Sequence, residues 1–497
     1  MESYIHIYST NDEFTAAYNG PEYIEPWLSL TEEGMKVNYN KPKLTAITFD
    51  NITWVTDIPA KGGTATKDNC SFEIYAKYDN GISVDISSDA TVTGELVVPS
   101  STSGQRHEAG QLTLTASYSG LTATGNVTVY QAADLSMEPL TFNILSAGTI
   151  NWKASNSAFT KTIEYKLNDN EWVSITSNKG SSAPSITVTK GDKIQFKGNN
   201  AQYATGSSAY NSFGGSAPFE PEGNIMSLIY GDDFKNNLII SSTYAFYGLF
   251  RDCTKFVSAK NLILPATTLA NYCYNSMFRN CTSLKTAPEL PATDLAERCY
   301  SDMFSNCTSL ITAPKELPAT TLADYCYTGM FYDCRKLTTA PTLPATTLTK
   351  YCYQSMFYSC TSLTTAPELP ATSLARGCYY EMFHSCTSLT TAPKELPATT
   401  LVDYCYYAMF LGCTSLTTAP KELPATTLTK CCYQSMFYSC KSLNYIKCLA
   451  TNISAYNCTS GWVNNVASTG TFVKNPDMTS WSTGVNGIPT GWTVQNA

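Results

Sequence analysis

The chain has 497 residues, 43% hydrophobic and 14% charged, with 33 Tyr, a net charge of −8 and a sequence pI of about 5.1. That length exceeds one hydrophobic core and implies about three or four domains, and the apolar content excludes an extended disordered protein. The acidic balance, without a Lys/Arg cluster, argues against nucleic-acid binding. No run of roughly 18 apolar residues is present to insert into a membrane.

Residues 1–40 contain FTAAYNGPEYIEPWLSLTEEGMKVNYN, too aromatic for a flexible tail and too short for a core of its own. Such a segment is expected to dock, either on its own chain or on a partner. Its first residues lack the basic and apolar regions of a secretory signal, which, with Met1, gives the expectation of synthesis in a cytoplasm. Residues 41–134 alternate with period two, as in SFEIYAKY (Ile74, Ala76), QLTLTASY (Leu112, Leu114) and NVTVYQ (Val127, Val129). Short strands separated by Gly- and Ser-rich turns predict an immunoglobulin-like sandwich. A second sandwich is expected over 135–217, with hairpins turning at Asn168-Asp169-Asn170 and Gly191-Asp192. Residues 218–242 read as a linker.

The string LPAT then recurs at Leu264, Leu290, Leu317, Leu343, Leu369, Leu396 and Leu423, in steps of 26 or 27 residues. In the copy from Leu317, Leu322, Cys326, Met330 and Cys334 stand four apart, with Tyr327 and Phe331 beside them. This stripe predicts a short helix burying one face, followed by a strand with Leu337 and Ala340 inward and Pro341 as its stop. A unit this small cannot keep its stripe dry alone, so the copies must stack, and residues 243–458 are predicted to form an α/β solenoid. Positions that differ between copies, such as Thr328-Gly329, Tyr380-Glu381 and Tyr407-Ala408, fall on the outward side. Residues 459–497, rich in Gly, Ser and Thr and carrying Trp462, Trp481 and Trp492, read as a β-type cap.

The 19 cysteines are odd in number, and all but Cys70 lie at or beyond Cys253, at fixed places in the repeat. Buried free thiols serving as small apolar residues are expected rather than disulfides. No C-x-x-C pair, nucleophile elbow or phosphate-binding loop is visible, and the three histidines (His6, His107, His384) have no zinc-type spacing. No catalytic residue, cofactor or metal is therefore expected. Asn280 and Asn306 match a glycosylation acceptor but read as turn residues. Two faces compete for a ligand. One carries the uniform pairs Thr338-Thr339, Thr364-Thr365, Thr390-Thr391 and Thr417-Thr418. The other carries Tyr332, Tyr358, Tyr380 and Tyr407, which either bind a sugar or protein or simply shield the stripe.

The unit LPATTLADYCYTGMFYDCRKLTTAP resembles the BspA-like leucine-rich repeats of bacterial surface proteins, with Met330-Phe331, Cys334 and Leu337 at the family's marker positions. The stretch ending in GNVTVYQAAD is similar to BACON and bacterial Ig-like modules. EYIEPWLSLTEEGMKVNYNK resembles the N-terminal segment of fibre-type virion proteins from phages of gut Bacteroidales, including crAss-like phages. These resemblances imply N-terminal Ig/BACON-like β-sandwiches followed by a leucine-rich-repeat solenoid. They imply a non-enzymatic virion fibre or capsid-decoration protein, held to other virion proteins by residues 1–40 and contacting a host surface glycan or protein. Phage fibres are often trimers, so a homotrimer is an expectation from the same source. The alternative is a BspA-type bacterial cell-surface adhesin whose export signal is missing from this sequence.

Overall fold

The computed structural model describes residues 25–31, 34–40, 42–104 and 106–497. Most of the expected attachment segment lies outside the described residues. Its remainder is an antiparallel hairpin of Glu25–Thr31 and Gly34–Asn40, with Leu28 opposite Val37. The chain divides into two compact units, Met1–Asp134 and Leu135–Ala497.

In the first unit, Leu44–Trp54, Cys70–Tyr78 and Ser83–Asp85 form one antiparallel sheet, and Thr91–Thr93, His107–Tyr118 and Leu121–Gln131 form another. The predicted alternation sets their inner faces. Ile74, Ala76, Leu112, Leu114 and Val129 are fully buried, while Thr113 and Thr115 between them point outward. Apolar residues two apart must share a face of a pleated strand, which is why period two was sufficient to find this core.

The second unit begins with another pair of sheets. Phe142 on Leu140–Ile144, Trp152 on Gly148–Ala154, Phe196 on Lys193–Lys197 and Phe213 on Ala209–Gly215 meet between them. Asn168 and Gly191 take left-handed backbone at the two expected hairpin turns. The residues read as a linker are instead built in. Phe219–Asn224 is a sheet strand, and Ile225, Met226 and Leu228 are fully buried around the helix Ser227–Tyr230. Phe219–Asn224 pairs in parallel with Asn261–Ile263 of the first repeat, and the ring of Phe213 stacks on Phe250 at 5.6 Å. This sandwich therefore covers the first layer of the repeat stack, and one apolar core runs from Leu140 to Trp492.

The repeats themselves overturn the sequence reading. An α/β leucine-rich-repeat solenoid is not what these residues form. Among the described residues the one α-helix is the four-residue Ser227–Tyr230, outside the repeats, and successive copies share only single-residue bridges such as Thr312↔Thr339 and Thr391↔Thr418. In place of the helix is a run of tight turns. Tyr325, Gly329 and Asp333 have φ of 59°, 58° and 58°, so the backbone turns left-handed at every fourth residue. The amides of Cys326, Thr328, Met330, Tyr332 and Cys334 donate to carbonyls three residues back, closing successive turns. Those of Tyr325, Tyr327, Gly329, Phe331 and Asp333 donate forward to Lys350, Cys352, Gln354, Met356 and Tyr358 of the next copy, at 2.7–3.0 Å.

The physical reason lies in the spacing. An α-helix has 3.6 residues per turn, so a residue four along overshoots by about 40°, and real helical stripes mix steps of three and four. Leu322, Cys326, Met330 and Cys334 never take a step of three. A coil of four-residue turns keeps all of them on one line, and all but Leu322 are wholly buried. The expected thiol ladder is present, since all 19 cysteines are free and all but Cys70 are buried. The Sγ of Cys281, Cys307, Cys334, Cys360, Cys386, Cys413 and Cys440 each donates to a phenylalanine carbonyl of the preceding copy at 3.0–3.2 Å. Burial pushes the Cys281 and Cys334 thiols well above their ordinary value, so they stay protonated and pack as small apolar groups.

Two buried ring columns run through the stack. Neighbouring phenylalanines from Phe250 to Phe437 stack at 5.3–5.8 Å, and neighbouring tyrosines from Tyr274 to Tyr433 at 5.6–6.0 Å. Trp462 closes both columns and is backed by Trp481 at 5.6 Å. A parallel sheet of Tyr445–Cys448, Thr471–Lys474 and Thr493–Asn496 ends the chain.

Two stability measurements follow from this backbone. Ser359, at φ 57°, is expected to gain about 1 kcal/mol on replacement by Gly and to lose roughly 1–2 kcal/mol on replacement by Val, because left-handed backbone crowds a branched Cβ. A helix would reverse the glycine result, and denaturant unfolding of the two variants distinguishes the cases. The buried hydroxyl of Tyr327 has no hydrogen-bond partner, so Tyr327→Phe should raise stability by about 1 kcal/mol. Tyr203→Phe should lower it by a similar amount, since that hydroxyl donates to the Leu228 carbonyl at 2.6 Å.

Candidate functional site

The turns bury Cys, Met, Phe and the inner Tyr of each copy and leave only part of the intervening residues outward, and the left-handed position before each first cysteine (before Ala245 in the opening copy) carries a line of rings and cations. In successive copies that position holds Tyr244, Tyr272, Arg298, Tyr325, Tyr351, Gly377, Tyr404 and Cys431. Because equivalent residues sit one layer apart, planar groups fall into register and stack. Tyr244 lies 4.7 Å from Tyr272, Arg298 lies 4.0 Å over Tyr325, and Tyr325 lies 5.1 Å from Tyr351.

The four sequence-nominated tyrosines are all half-buried on this face, and they fall into two columns rather than one. Tyr332 stacks on Tyr358 at 4.6 Å, and Tyr358 on His384 at 4.3 Å. Tyr380 stacks on Tyr407 at 4.5 Å. The two flat sides of Tyr358 are thus taken by its neighbours, leaving ring edges and hydroxyls outward. This changes how such residues can bind. A column interior offers hydrogen bonds and edge contacts, and a sugar can lie flat only at a column end.

His384 accepts or donates at Nδ1 to Ser385 Oγ at 2.9 Å, and burial holds its imidazole below the ordinary value, so it packs as a neutral ring. Burial likewise raises the Glu381 carboxyl, partly offset by a hydrogen bond from Ser355. The competing threonine face is exposed throughout. There Thr390 Oγ1 donates to the Thr364 carbonyl at 3.1 Å, a role within the scaffold.

Sequence reasoning missed the densest part of the face, around Gly377. Arg376 Nε donates to the Tyr351 hydroxyl at 3.2 Å, and its guanidinium lies 5.2 Å over the Tyr404 ring. Lys430 lies 5.7 Å over the same ring and 5.9 Å over Tyr456. Tyr351 meets Tyr380 edge-on at 6.5 Å, and Tyr404 meets Tyr407 at 6.1 Å. The available signal was the residue preceding the first cysteine of each copy, where Tyr recurs and gives way to Arg298, Gly377 and Cys431.

Among the described residues no group of three or more His, Cys, Asp or Glu is placed to hold a metal ion, and no helix is long and apolar enough to cross a membrane. No protein-family model matches the chain, and no curated protein matches it significantly. Gly377, at φ 61°, leaves room for the leaning Tyr351 ring, with which a Cβ would collide. Gly377→Ala should therefore cost about 1–3 kcal/mol in denaturant unfolding, with the Tyr351 ring displaced.

Proposed function

We propose that this chain is a non-enzymatic adhesion and display protein of a phage virion. Its N-terminal segment attaches it to other virion proteins, and the tyrosine-rich turn face contacts a host surface glycan or protein. The observation that carries the reading is the array of half-exposed tyrosines and cations held in register by stacking. Rings already fixed by their neighbours lose little side-chain freedom when a ligand arrives, and tyrosine edges with hydroxyls suit hydroxyl-rich partners. The resemblance of the repeat to BspA-like surface proteins, and of the opening stretch to fibre-type virion proteins, supports the setting. The net charge of −8 argues against a nucleic-acid partner.

The test is binding of the labelled full-length protein to host cells, with antibody labelling of purified particles. Exchange of Tyr380 and Tyr407 together for Ala is expected to weaken cell binding tenfold or more, on the scale of interface hot spots at about 2 kcal/mol. Thr364→Ala on the threonine face should leave it unchanged. Unaltered binding by the tyrosine variant would refute the assignment of the face. Recovery of the protein only from the bacterial outer membrane, never from particles, would replace the virion setting with that of a cell-surface adhesin.

A further inference from the structure

The tyrosine face is not chemically uniform, and its charges separate one place from the rest. Among the described residues there are six arginines. Arg106, Arg251, Arg298 and Arg335 each have a carboxylate oxygen within 4 Å, at Asp57, Asp252, Glu297 and Asp333. Arg376 has none and is exposed. Its one hydrogen bond to a side chain uses Nε and ends on the Tyr351 hydroxyl, so the terminal nitrogens have no carboxylate to grip. Arg279 is also without a carboxylate, but its Nε is buried and it lies outside the ring cluster.

Around Arg376 the rings act as a frame. Tyr351 holds the guanidinium at Nε through its hydroxyl, and the Tyr404 ring lies 5.2 Å from its central carbon. The glycine at position 377 lets Tyr351 lean in far enough to do this. Tyr404 is flanked by a second cation, Lys430, contributed from the following copy. Asp403 adds a weak favourable charge at Arg376 but makes no ion pair with it within 4 Å. A guanidinium anchored at Nε, with no carboxylate on its outer nitrogens, is suited to two-point recognition of a planar oxyanion, and a neighbouring ammonium adds a second point charge.

We propose that Arg376 and Lys430 form a carboxylate-binding subsite on the tyrosine face, and that the glycan bound there is an acidic polysaccharide carrying uronic acids. This rests on the adhesive reading above and names its ligand class. The two cations belong to copies two layers apart, roughly 10 Å at inter-strand spacing. Carboxylates on alternate sugars of a chain running along the stack would meet both, while Tyr380, Tyr404 and Tyr407 contact the intervening neutral ring. The net charge of −8 does not prevent this, because repulsion from distant acids is screened beyond about 8 Å at physiological ionic strength.

The test uses the full chain and three probes in titration calorimetry: a hyaluronan octasaccharide, the same octasaccharide with its carboxyls reduced to alcohols, and an oligoglutamate of equal charge. The wild type should bind the acidic sugar at least tenfold tighter than the reduced one. Arg376→Ala should lose that tenfold preference, Lys430→Ala part of it, and Arg376→Lys should recover only part because an ammonium lacks the fork. Arg335→Ala, whose arginine is already paired with Asp333, should match wild type. Unchanged unfolding midpoints would exclude misfolding of these surface variants. Equal affinity for the acidic and reduced sugars, in wild type and Arg376→Ala alike, would overturn the subsite while leaving glycan adhesion standing. Tighter binding of oligoglutamate than of the sugar would overturn the glycan assignment in favour of an acidic peptide. Acidic-sugar binding by a protein that does not adhere to host cells would instead defeat only the adhesive reading.

Discussion

Every layer of the repeat stack depends on how its backbone amides are shared. Alternate N–H groups close a turn within the layer, and the others donate to the next one, as Tyr327, Gly329 and Phe331 do to Cys352, Gln354 and Met356. Buried amides must find a partner, and neither a helix nor a sheet is needed if this alternation satisfies them. Its cost is a left-handed residue at every fourth position, held mostly by side chains other than glycine. The return is that each layer is tied to its neighbour at several points along the turn side. The thiols of Cys334 and its equivalents add one more bond per layer to the same backbone.

That arrangement explains why side chains stack so regularly. When equivalent backbone atoms of neighbouring layers are hydrogen-bonded, equivalent Cβ atoms are offset by one fixed step. Phe331 then meets Phe357 at 5.6 Å inside, and Tyr332 meets Tyr358 at 4.6 Å outside. The buried columns exclude water, while the outer columns make a firm surface. What sets one place on such a surface apart is a break in the pattern. At Gly377 a missing side chain lets Tyr351 tilt and gives Arg376 a place among rings.

Much of this was legible in the residues, and the part that was not has an identifiable cause. The copy number, the need to stack and the buried Cys, Met and Phe lines all follow from LPATTLADYCYTGMFYDCRKLTTAP and its variants. The variable positions were read as outward, yet only some are: Tyr380 and Tyr407 are half-exposed, while Asn275, Ser301, Gly329 and Ala408 are buried, because a four-residue turn places them differently from a helix. The helix did not follow. Four-residue spacing was read as a helical stripe because 4 lies close to 3.6, and the missing three-residue steps were the overlooked sign. Period-two alternation at Ile74, Leu112 and Val129 succeeded because no competing structure has that period. The stretch from 218 to 242 looked like a linker since its Gly and Asn residues mask Ile225, Met226 and Leu228, which are buried in the core that the sandwich shares with the repeats. The tyrosines could be nominated from sequence, whereas their mutual stacking, and hence the covering of their flat sides, depended on layer register.

Far-UV circular dichroism of the intact protein tests the turn-built stack most directly, since the repeats supply nearly half the chain's residues. The account predicts a spectrum of strands and turns with no helical double minimum. A clear helical double minimum, persisting in the folded protein under native conditions, would contradict it.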